Sequence, residues 1–388
     1  MVGEIHRTPG ILWTAGMDSR FRGGKFKAGV KPQAMARRAA YARAVKKGAP
    51  EVPISIPESF DSEANWPLCA KVIGDIRDQS MCGCCWAFAA ASAASDRLCI
   101  STNGTTMVPL SAQDLCFCAD PDGCEGGDLE GPWNYIQNQG IVTGGQYQGT
   151  GPFGAGFCQD FGLPHCHHYG PQGDDPYPAE GTEGCPEQHS QQCPNKCSSE
   201  AKGAHTAFQE DKWRFSGQTQ SASGEKGIAR AIMEGGPVET AFIVYDDFLT
   251  YVSGIYHHVK GDSRGGHAVK IVGWGVENGV KYWKVANSWN QHWGEKGYFR
   301  IKRGDNESGI EDQVTFSPAH AKWSVGGSRP SQSPGHCPYT EPDYCDVTTT
   351  WDFCKLNHAK CKLRCGCCDM NPPAHCLDVP SEEVVLWM

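Results

Sequence analysis

The sequence predicts an α+β fold in which helices come first and strands later. Trp86–Leu98 is an unbroken, Ala-rich stretch, and alanine is the strongest helix former. Three later segments have strand patterns: His267–Trp274, Lys281–Ala286 and Tyr298–Lys302. Glu277-Asn-Gly279 separates the first two and is typical of a hairpin turn. This order indicates one mainly helical half and one mainly sheet half.

Length and composition exclude several classes of protein. A chain of 388 residues can form more than one domain with a large core. With 39% hydrophobic and 20% charged residues, wholesale disorder is not expected. No apolar run approaches the ~18 residues that a membrane-spanning helix needs, so we expect no membrane span.

Charge divides the chain into a basic start and an acidic remainder. Residues 1–52 contain eleven Lys or Arg and three Asp or Glu, a net charge of +8. Because the whole chain has a net charge of −9, the other residues together have −17. An acidic body would repel phosphates, so no nucleic acid partner is expected. The basic segment is expected to pair with its own protein.

The 21 cysteines predict an oxidising compartment, because a reduced cytosolic protein rarely contains so many unless it binds zinc. Two glycosylation sequons, at Asn103 and Asn306, fit a secretory route and a glycoprotein. Residues 1–25 contain no apolar stretch typical of a signal peptide, and we expect that one has been removed. The odd number of cysteines leaves at least one thiol unpaired or bonded to another chain.

Composition also predicts where segments begin and end. Residues 1–52 lack cysteine and include a predicted helix at Pro32–Lys47. Residues 326–335 are rich in Gly, Ser and Pro and are predicted to be a linker. Residues 336–388 contain eight cysteines, so disulfides would have to stabilise this short extension.

Three separated motifs point to nucleophilic catalysis by a cysteine. Cys85 precedes the Ala-rich helix, where the helix dipole and free N–H groups favour a thiolate. The sequence around it reads Gln79-Ser-Met-Cys-Gly-Cys-Cys85-Trp-Ala-Phe88, and Gly266-His-Ala268 and Asn287-Ser-Trp289 follow far downstream. In this order the motifs resemble those of papain-like cysteine proteases. That family normally has Ser or Ala before the nucleophile, whereas this chain has Cys84, which opens a route to oxidation or a competing disulfide.

The resemblance implies a role for each residue. His267 would take the thiol proton of Cys85, and Asn287 would orient the imidazole. Trp289 would shield that contact from water and is also a predicted substrate-binding residue. Gln79 and the backbone N–H of Cys85 would form the oxyanion hole. The reaction would be peptide-bond hydrolysis through a Cys85 acyl-enzyme, with no metal and no cofactor.

Within this family the resemblance is to the cathepsin B type. It is carried by residues 56–72, 95–100, 124–127 and 265–275 and extends over roughly residues 56–320. It implies a papain-like fold with a helical left domain, a β-barrel-like right domain and an active-site cleft between them. Residues 56–325 are therefore assigned to the peptidase domain. The family also implies a lysosomal, acidic-vacuolar or extracellular location.

The insertion Cys158–Cys197 resembles the occluding loop of cathepsin B, which blocks one end of the cleft. It contains His165-Cys-His-His168, and imidazolium groups there can bind the C-terminal carboxylate of a substrate, so that dipeptides are removed. The family motif, shifted by one place here, points to His167 and His168, and His168 is predicted to pair with Asp78. A solvent-exposed His-rich loop and a zinc site at the second loop cysteine stay open as alternatives.

The resemblance also implies five disulfides and leaves Cys85 free. Cys84 and Cys116 are extra relative to the family, and the sequence does not decide whether they bond to each other. The implied pairs are Cys69–Cys99, Cys82–Cys124, Cys118–Cys193, Cys158–Cys197 and Cys166–Cys185.

Two features predict how substrate would bind. Gly126 and Gly127 would let a substrate backbone approach the cleft floor closely. The family usually has an acid at the base of the pocket for the second residue before the cleaved bond (P2), and Gln313 takes that position here. Without this charge we expect apolar P2 residues rather than Arg.

Residues 1–55 are interpreted as a propeptide. Trp13-Thr-Ala-Gly16 resembles the Trp-x-Ala-Gly of cathepsin B pro-regions. Charge would help to hold a basic propeptide on an acidic body, and protonation of the carboxylates would weaken it. We therefore expect a zymogen, activated by acid and cleaved between Lys46 and Ile56. Its partners would be peptide and protein substrates, its own propeptide and cystatin-type inhibitors, and it would be a monomer.

The C-terminal extension resembles another known module. Cys361-Lys-Leu-Arg-Cys365-Gly-Cys-Cys368 is similar to the ending of ShKT modules, although Cys367 and Cys376 are additional cysteines. The extension would be a targeting or binding module or a stabilising appendage.

Two other functions stay open for the whole chain. One is a catalytically silent homologue whose cleft binds a partner, and the other is a Cys-rich structural protein. The intact catalytic motifs argue against both.

Overall fold

The computed structural model describes residues 1–48, 55–168, 185, 187–319 and 321–323. The expected cleavage region, most of the centre of the 158–197 insertion, the linker at 326–335 and the extension at 336–388 lie outside these ranges. The disulfide arrangement and ShKT resemblance of the extension therefore stay predictions.

Short helices dominate the first half of the described chain, and strands dominate the second. A 3-10 helix, Ser19–Gly24, and a π-helix, Leu115–Ala119, supplement the α-helices. The α-helices are α1 Val2–Ile5, α2 Pro32–Gly48, α3 Ser62–Asn65, α4 Ala70–Ile73, α5 Cys85–Ser101, α6 Ala112–Asp114, α7 Gly131–Asn138 and α8 Gly224–Gly235. The strands are β1 Trp13–Ala15, β2 Phe60–Asp61, β3 Trp213–Phe215, β4 Gln220–Ala222, β5 Val238–Tyr245, β6 Tyr251–Tyr256, β7 Ser263–Glu277, β8 Val280–Ala286, β9 Tyr298–Lys302, β10 Val314–Phe316 and β11 Ala321–Trp323.

The helical half is built around α5, which confirms the predicted helix. Every residue of α5 from Cys85 to Cys99 is buried, and its many alanines allow α4, α6 and β7 to pack close to it. A hydrophobic core surrounds it, with Trp86, Trp133 and Phe161 among its large side chains.

The second half is a mixed sheet with the order β1-β6-β9-β8-β7-β5-β10-β4, and β2 also pairs with β7. Neighbouring strands are antiparallel except for the parallel pair β6 and β9. The predicted hairpin joins β7 to β8, and its two turn residues, Asn278 and Gly279, have φ angles of 51° and 78°. These left-handed angles are what a two-residue hairpin turn requires. A second core forms on this sheet, and the α+β prediction is confirmed.

The N-terminal segment (residues 1–48) belongs to the same compact unit as the two halves. β1 adds to the edge of the sheet, where Trp13 pairs with Gly254. The indole N–H of Trp13 donates to the carbonyl oxygen of His257 at 3.0 Å. The predicted helix at Pro32–Lys47 is present as α2. Its Tyr41 hydroxyl donates to the carbonyl oxygen of Ser221 in β4 at 3.0 Å.

All five implied disulfides are present. Cys84, Cys85 and Cys116 are free thiols, so Cys84 and Cys116 are not bonded to each other. In the part of the chain that the structure describes, no helix is both long enough and apolar enough to cross a bilayer.

Candidate active site

Cys85 is the first residue of α5 and lies where the helical half meets β7. The backbone N–H of Ala268 in β7 donates to its Sγ at 3.2 Å. Its side chain is fully buried, which is unusual for a nucleophile that must reach a substrate. The N-terminal segment covers the sulphur.

His267 and Asn287 come together as the sequence predicts. They lie on β7 and just after β8, and His267 Nε2 is 2.8 Å from Asn287 Oδ1. The Trp289 ring stacks on the imidazole, with centroids 4.8 Å apart and planes at 22°. This contact places the indole over one face of His267, where it keeps water from that face.

Gln79 is buried beside the start of α5. Its Nε2 donates to the carbonyl oxygen of Cys82 at 2.7 Å, and its Oε1 accepts from the hydroxyl of Ser288 at 2.6 Å. The backbone N–H of Gln79 donates to the carbonyl oxygen of Ser288 at 2.9 Å. These bonds fix the amide beside the loop that precedes Cys85 and connect it to Ser288, the neighbour of Asn287.

The covered pair is held in its neutral form. Burial raises the pKa of the Cys85 thiol to about 12, although the Ala268 N–H partly opposes the shift. Burial also lowers the pKa of His267 to about 4, partly offset by its bond to Asn287. The thiolate–imidazolium pair expected from the motifs is therefore not the favoured state while the site is covered.

The N-terminal segment crosses the cleft directly over Cys85. Gly29 lies against the sulphur, and a Cβ at this position would overlap it. The backbone N–H groups of Gly29 and Val30 donate to the carbonyl oxygen of Gly266, both at 3.1 Å. On the other wall of the cleft, the backbone N–H of Gly127 donates to the carbonyl oxygen of Gly29 at 3.0 Å. The carbonyl oxygen of Gly127 accepts from the backbone N–H of Lys31 at 2.9 Å. The segment thus bridges the two halves with main-chain hydrogen bonds.

Two aromatic residues of the N-terminal segment pack around His267 and Trp289. Phe21 contacts the Trp289 ring edge-on, with centroids 4.8 Å apart. Phe26 packs edge-on against His267 at 6.2 Å and Trp289 at 6.1 Å. These rings replace water around the imidazole, which explains the lowered pKa of His267.

The N-terminal segment contacts both members of the predicted His168–Asp78 pair. His168 Nδ1 is 2.7 Å from Asp18 Oδ2. Asp78 forms a buried ion pair with Arg20, at 3.1 Å, and its other oxygen is 3.5 Å from His165 Nδ1. Burial alone would raise the pKa of Asp78, but Arg20 and His165 outweigh it and hold that pKa well below its usual range. The charge of His168 also lowers the pKa of Asp78, so the pairing of these two residues stays a prediction.

Three of the four histidines of the insertion are buried, which argues against a solvent-exposed position for them. They are His165, His167 and His168, whereas His189 is exposed. The zinc alternative is also wrong, because Cys166 is bonded to Cys185 and has no thiolate to offer.

The predicted substrate-binding residues line the path of the N-terminal segment. Gly126 has a φ of 101°, which favours glycine, and a Cβ at Gly127 would lie 2.7 Å from the Trp86 ring. The side chain of Gln313 is buried and donates to the hydroxyl of Ser221 at 2.9 Å. The backbone carbonyl oxygen of Gln313 accepts from the guanidinium of Arg38 at 2.8 Å.

The geometry agrees with comparisons to known proteins. A sequence model described as "Papain family cysteine protease" matches residues 56–317. The chain belongs to the papain family of cysteine proteases. It is 46% identical over 264 residues to "Cathepsin B-like cysteine proteinase 4" of Caenorhabditis elegans, covering 67% of this chain and 74% of that protein. It is 43% identical over 265 residues to a cathepsin B-like cysteine proteinase of Schistosoma japonicum, covering 67% and 72%.

Solved structures support the same assignment for this papain-family protease. The procathepsin B of Trypanosoma congolense superposes with a TM-score of 0.61 and 30% identity, over 81% of this chain and 96% of that one. A digestive procathepsin L 3 of Tenebrio molitor shares the fold, with a TM-score of 0.50, 20% identity and coverage of 81% and 86%. These neighbours are proforms, so the chain is a cysteine peptidase of zymogen type with an α+β papain-like fold.

Sequence reasoning missed the residues of the N-terminal segment that pair with His168 and Asp78. Asp18 and Arg20 have no motif that marks them. A basic segment on an acidic body predicts that such contacts exist, but not which residues form them.

Proposed function

We propose that this papain-family protease is a latent peptidase in which residues 1–55 are the propeptide and residues 56–325 the peptidase domain. The observation that carries the proposal is Gly29 packed on Cys85, with its backbone hydrogen-bonded to Gly266 on one wall of the cleft and to Gly127 on the other. A substrate backbone would follow the same path, so the N-terminal segment and substrate compete for one site.

Once the segment leaves, the residues act as a cysteine nucleophile and its base. His267 takes the proton of Cys85, and the thiolate attacks the carbonyl carbon of the scissile bond. Asn287 and Trp289 keep the imidazole in position. His267 then gives its proton to the departing amine, and water hydrolyses the thioester to regenerate the thiol.

Gln79 supplies the oxyanion hole together with the backbone N–H of Cys85. An amide group has two hydrogens, and the bond to Cys82 uses one of them. The other is available to a developing oxyanion.

The insertion 158–197 acts as an occluding loop and gives peptidyl-dipeptidase activity in addition to internal cleavage. The N-terminal segment now supplies Asp18 to His168 and Arg20 to Asp78. Its removal takes these two partners away, and His167 and His168 then bind the C-terminal carboxylate of a substrate. His168 also pairs with Asp78, whose carboxylate Arg20 no longer neutralises.

Acid releases the N-terminal segment, and the enzyme works in a lysosome, an acidic vacuole or outside the cell. Cystatin-type proteins inhibit it, and it acts as a monomer. These proposals follow from the charge asymmetry, the cysteine content and the family.

A decapeptide digest tests the function. The acid-treated, mildly reduced protein is incubated with one decapeptide, made with a free or an amidated C-terminus, and products are identified by mass spectrometry. We expect successive loss of dipeptides from the free acid. Internal cuts in both peptides would retain the peptidase and reject the loop assignment. No cleavage by protein with a proven mature N-terminus would favour the silent homologue, and Cys85→Ala is the inactive control.

A further inference from the structure

A group of four buried sulphurs lies directly beside Cys85 and has no part in peptide hydrolysis. Cys82 is bonded to Cys124, whereas Cys84 and Cys116 are free. Cys84 Sγ is 3.2 Å from Cys82 Sγ, and Cys116 Sγ is 4.0 Å from the same atom. The Sγ atoms of Cys82, Cys84 and Cys116 all lie within 4.8 Å of one another. We call Cys82, Cys84, Cys116 and Cys124 the sulphur cluster.

The cluster has the arrangement that thiol–disulfide exchange requires. Exchange begins when a thiolate attacks one sulphur of a disulfide, so a thiol must touch that disulfide. Cys84 already touches Cys82, and Cys116 stands next to both. All four side chains are buried, which keeps external thiols away and makes the partners of any exchange intramolecular.

The metal alternative for this cluster fails on its chemistry. Within the described residues these are the side chains close enough together to share an ion. Cys82, however, has its sulphur in a disulfide, and a thiolate is what soft metals need. Two thiols and a disulfide sulphur favour exchange over coordination.

We propose that the disulfide can move within the cluster from Cys82–Cys124 to Cys84–Cys116. In the first step the Cys84 thiolate attacks Cys82 Sγ, the 82–84 bond forms, and Cys124 leaves as a thiolate that takes up the proton lost by Cys84. In the second step the Cys116 thiolate attacks Cys84 Sγ, and Cys82 leaves and takes up the proton of Cys116. One disulfide and two thiols are present before and after, so no external oxidant or reductant is needed.

Burial sets the speed of this exchange. It raises the pKa of Cys116 well above its ordinary value, and the nearby Cys84, Cys85 and Asp120 add to the shift. The thiolate of Cys116 is therefore scarce, and the second step is slow. The proposal itself rests on the contacts among the four sulphurs.

The two disulfide arrangements hold the catalytic loop differently. In the present arrangement the bond is at Cys82, whose carbonyl oxygen accepts from Gln79. The adjacent Gly83 N–H also donates to the carbonyl oxygen of Cys124 at 2.8 Å. After exchange the bond would be at Cys84, next to the nucleophile, and Cys82 would be released. We expect the exchanged form to cleave peptide at least tenfold more slowly, a consequence that rests on the proposed function, whereas the exchange itself does not.

Differential labelling of the full chain tests the exchange. The protein is incubated for a day at pH 8 without added thiol, then denatured in acid with N-ethylmaleimide, which labels free thiols. Disulfides are afterwards reduced and labelled with iodoacetamide, and tandem mass spectrometry locates each label. We expect the first label to move from Cys84 and Cys116 to an equal fraction of Cys82 and Cys124. A label that stays on Cys84 and Cys116 throughout would overturn the proposal.

Three variants sharpen the result. Cys116→Ser should stop the second step, so that the first label gains Cys124 and loses Cys84. Cys84→Ala should prevent the proposed route, and label movement at the wild-type rate in this variant would contradict it. Cys85→Ala removes self-cleavage and should still show the movement. The wild-type time course shows whether the disulfide moves, even if one variant does not fold. This result is independent of whether the protein cleaves peptides.

Discussion

Gly29 of the N-terminal segment lies against the sulphur of Cys85 with no space for a side chain between them. A Cβ at Gly29 would overlap Cys85 Sγ and would also lie 2.6 Å from the carbonyl oxygen of Gly83. The backbone on both sides is hydrogen-bonded to Gly127 and Gly266. The segment cannot shift to relieve such a contact without breaking those bonds.

Gly29→Ala should therefore weaken the closed state of the zymogen. Overpacking a tight contact costs about 1–3 kcal/mol, which corresponds to roughly 5- to 150-fold. At pH 7 we expect iodoacetamide to alkylate Cys85 roughly 5- to 150-fold faster in this variant than in the wild-type protein. Gly3→Ala is the matched control, because the nearest atom to its Cβ would be 3.6 Å away. Equal rates in the two variants would contradict the prediction.

Lys31→Gln should have a smaller effect that depends on salt. Lys31 Nζ lies 3.0 Å from a carboxylate oxygen of Asp120 and of Asp122, and these groups are partly exposed. Exposed pairs contribute about 0.2–1 kcal/mol each, so loss of both pairs should make alkylation of Cys85 roughly 2- to 30-fold faster. Added salt should reduce the difference between variant and wild type.

Lys25→Gln is the control for that measurement, since Lys25 makes no ion pair with any residue that the structure describes. A similar acceleration in both variants would show that the loss of a positive charge, rather than the contact with Asp120 and Asp122, is responsible.

His267 should make the closed state sensitive to acid. Its pKa is lowered to about 4 when covered, against an ordinary value near 6.5, so the uncovered imidazole binds more protons between these values. The contribution of neutral His267 to the stability of the covered state is therefore fully present above about pH 6.5 and is lost as the pH falls toward 4. The loss is at most on the order of 3 kcal/mol.

Hydrogen exchange of residues 13–31 in the Cys85→Ala protein measures this dependence, after correction for intrinsic exchange. Protection should fall between pH 6.5 and 4, and adding His267→Gln should flatten the curve. The same slope with and without His267 would exclude it as the sensor. Asp78 cannot replace it, because its lowered pKa keeps the Arg20 ion pair intact until far lower pH.

Much of this behaviour could be predicted from the sequence, because the elements that carry the site have strong local patterns. β9 has the predicted bounds, Tyr298–Lys302, and the α5 prediction misses only its ends. Cys85, His267 and Asn287 were identified because each stands in a motif that the family requires. Local patterns and motifs are what a single sequence contains.

The rest depends on contacts between distant parts of the chain. Asp18 and His168 are 150 residues apart in sequence, and Arg20 and Asp78 are 58 apart. Charge balance predicts attraction between the segments but cannot pair individual groups. The neutral state of Cys85 was missed for the same reason, since it results from burial under the N-terminal segment rather than from any feature of its motif.

Gln313→Glu should change the preference at P2. Gln313 is buried at the edge of the sheet and donates to Ser221 through Nε2, so its side chain is already held in place. As an uncharged amide it offers a P2 arginine no ionic partner, and wild-type enzyme should cleave a Phe-Arg substrate far better than an otherwise identical Arg-Arg one.

A carboxylate at the same position should provide the missing charge. A charge-assisted hydrogen bond adds about 1.5–3 kcal/mol, so kcat/KM for the Arg-Arg substrate should rise roughly tenfold or more relative to the Phe-Arg substrate. Gln218→Glu places the same charge on an exposed residue and should leave the ratio unchanged. A wild-type preference for Arg-Arg would reject the apolar pocket. An unchanged ratio in Gln313→Glu would show that residue 313 does not contact the P2 side chain.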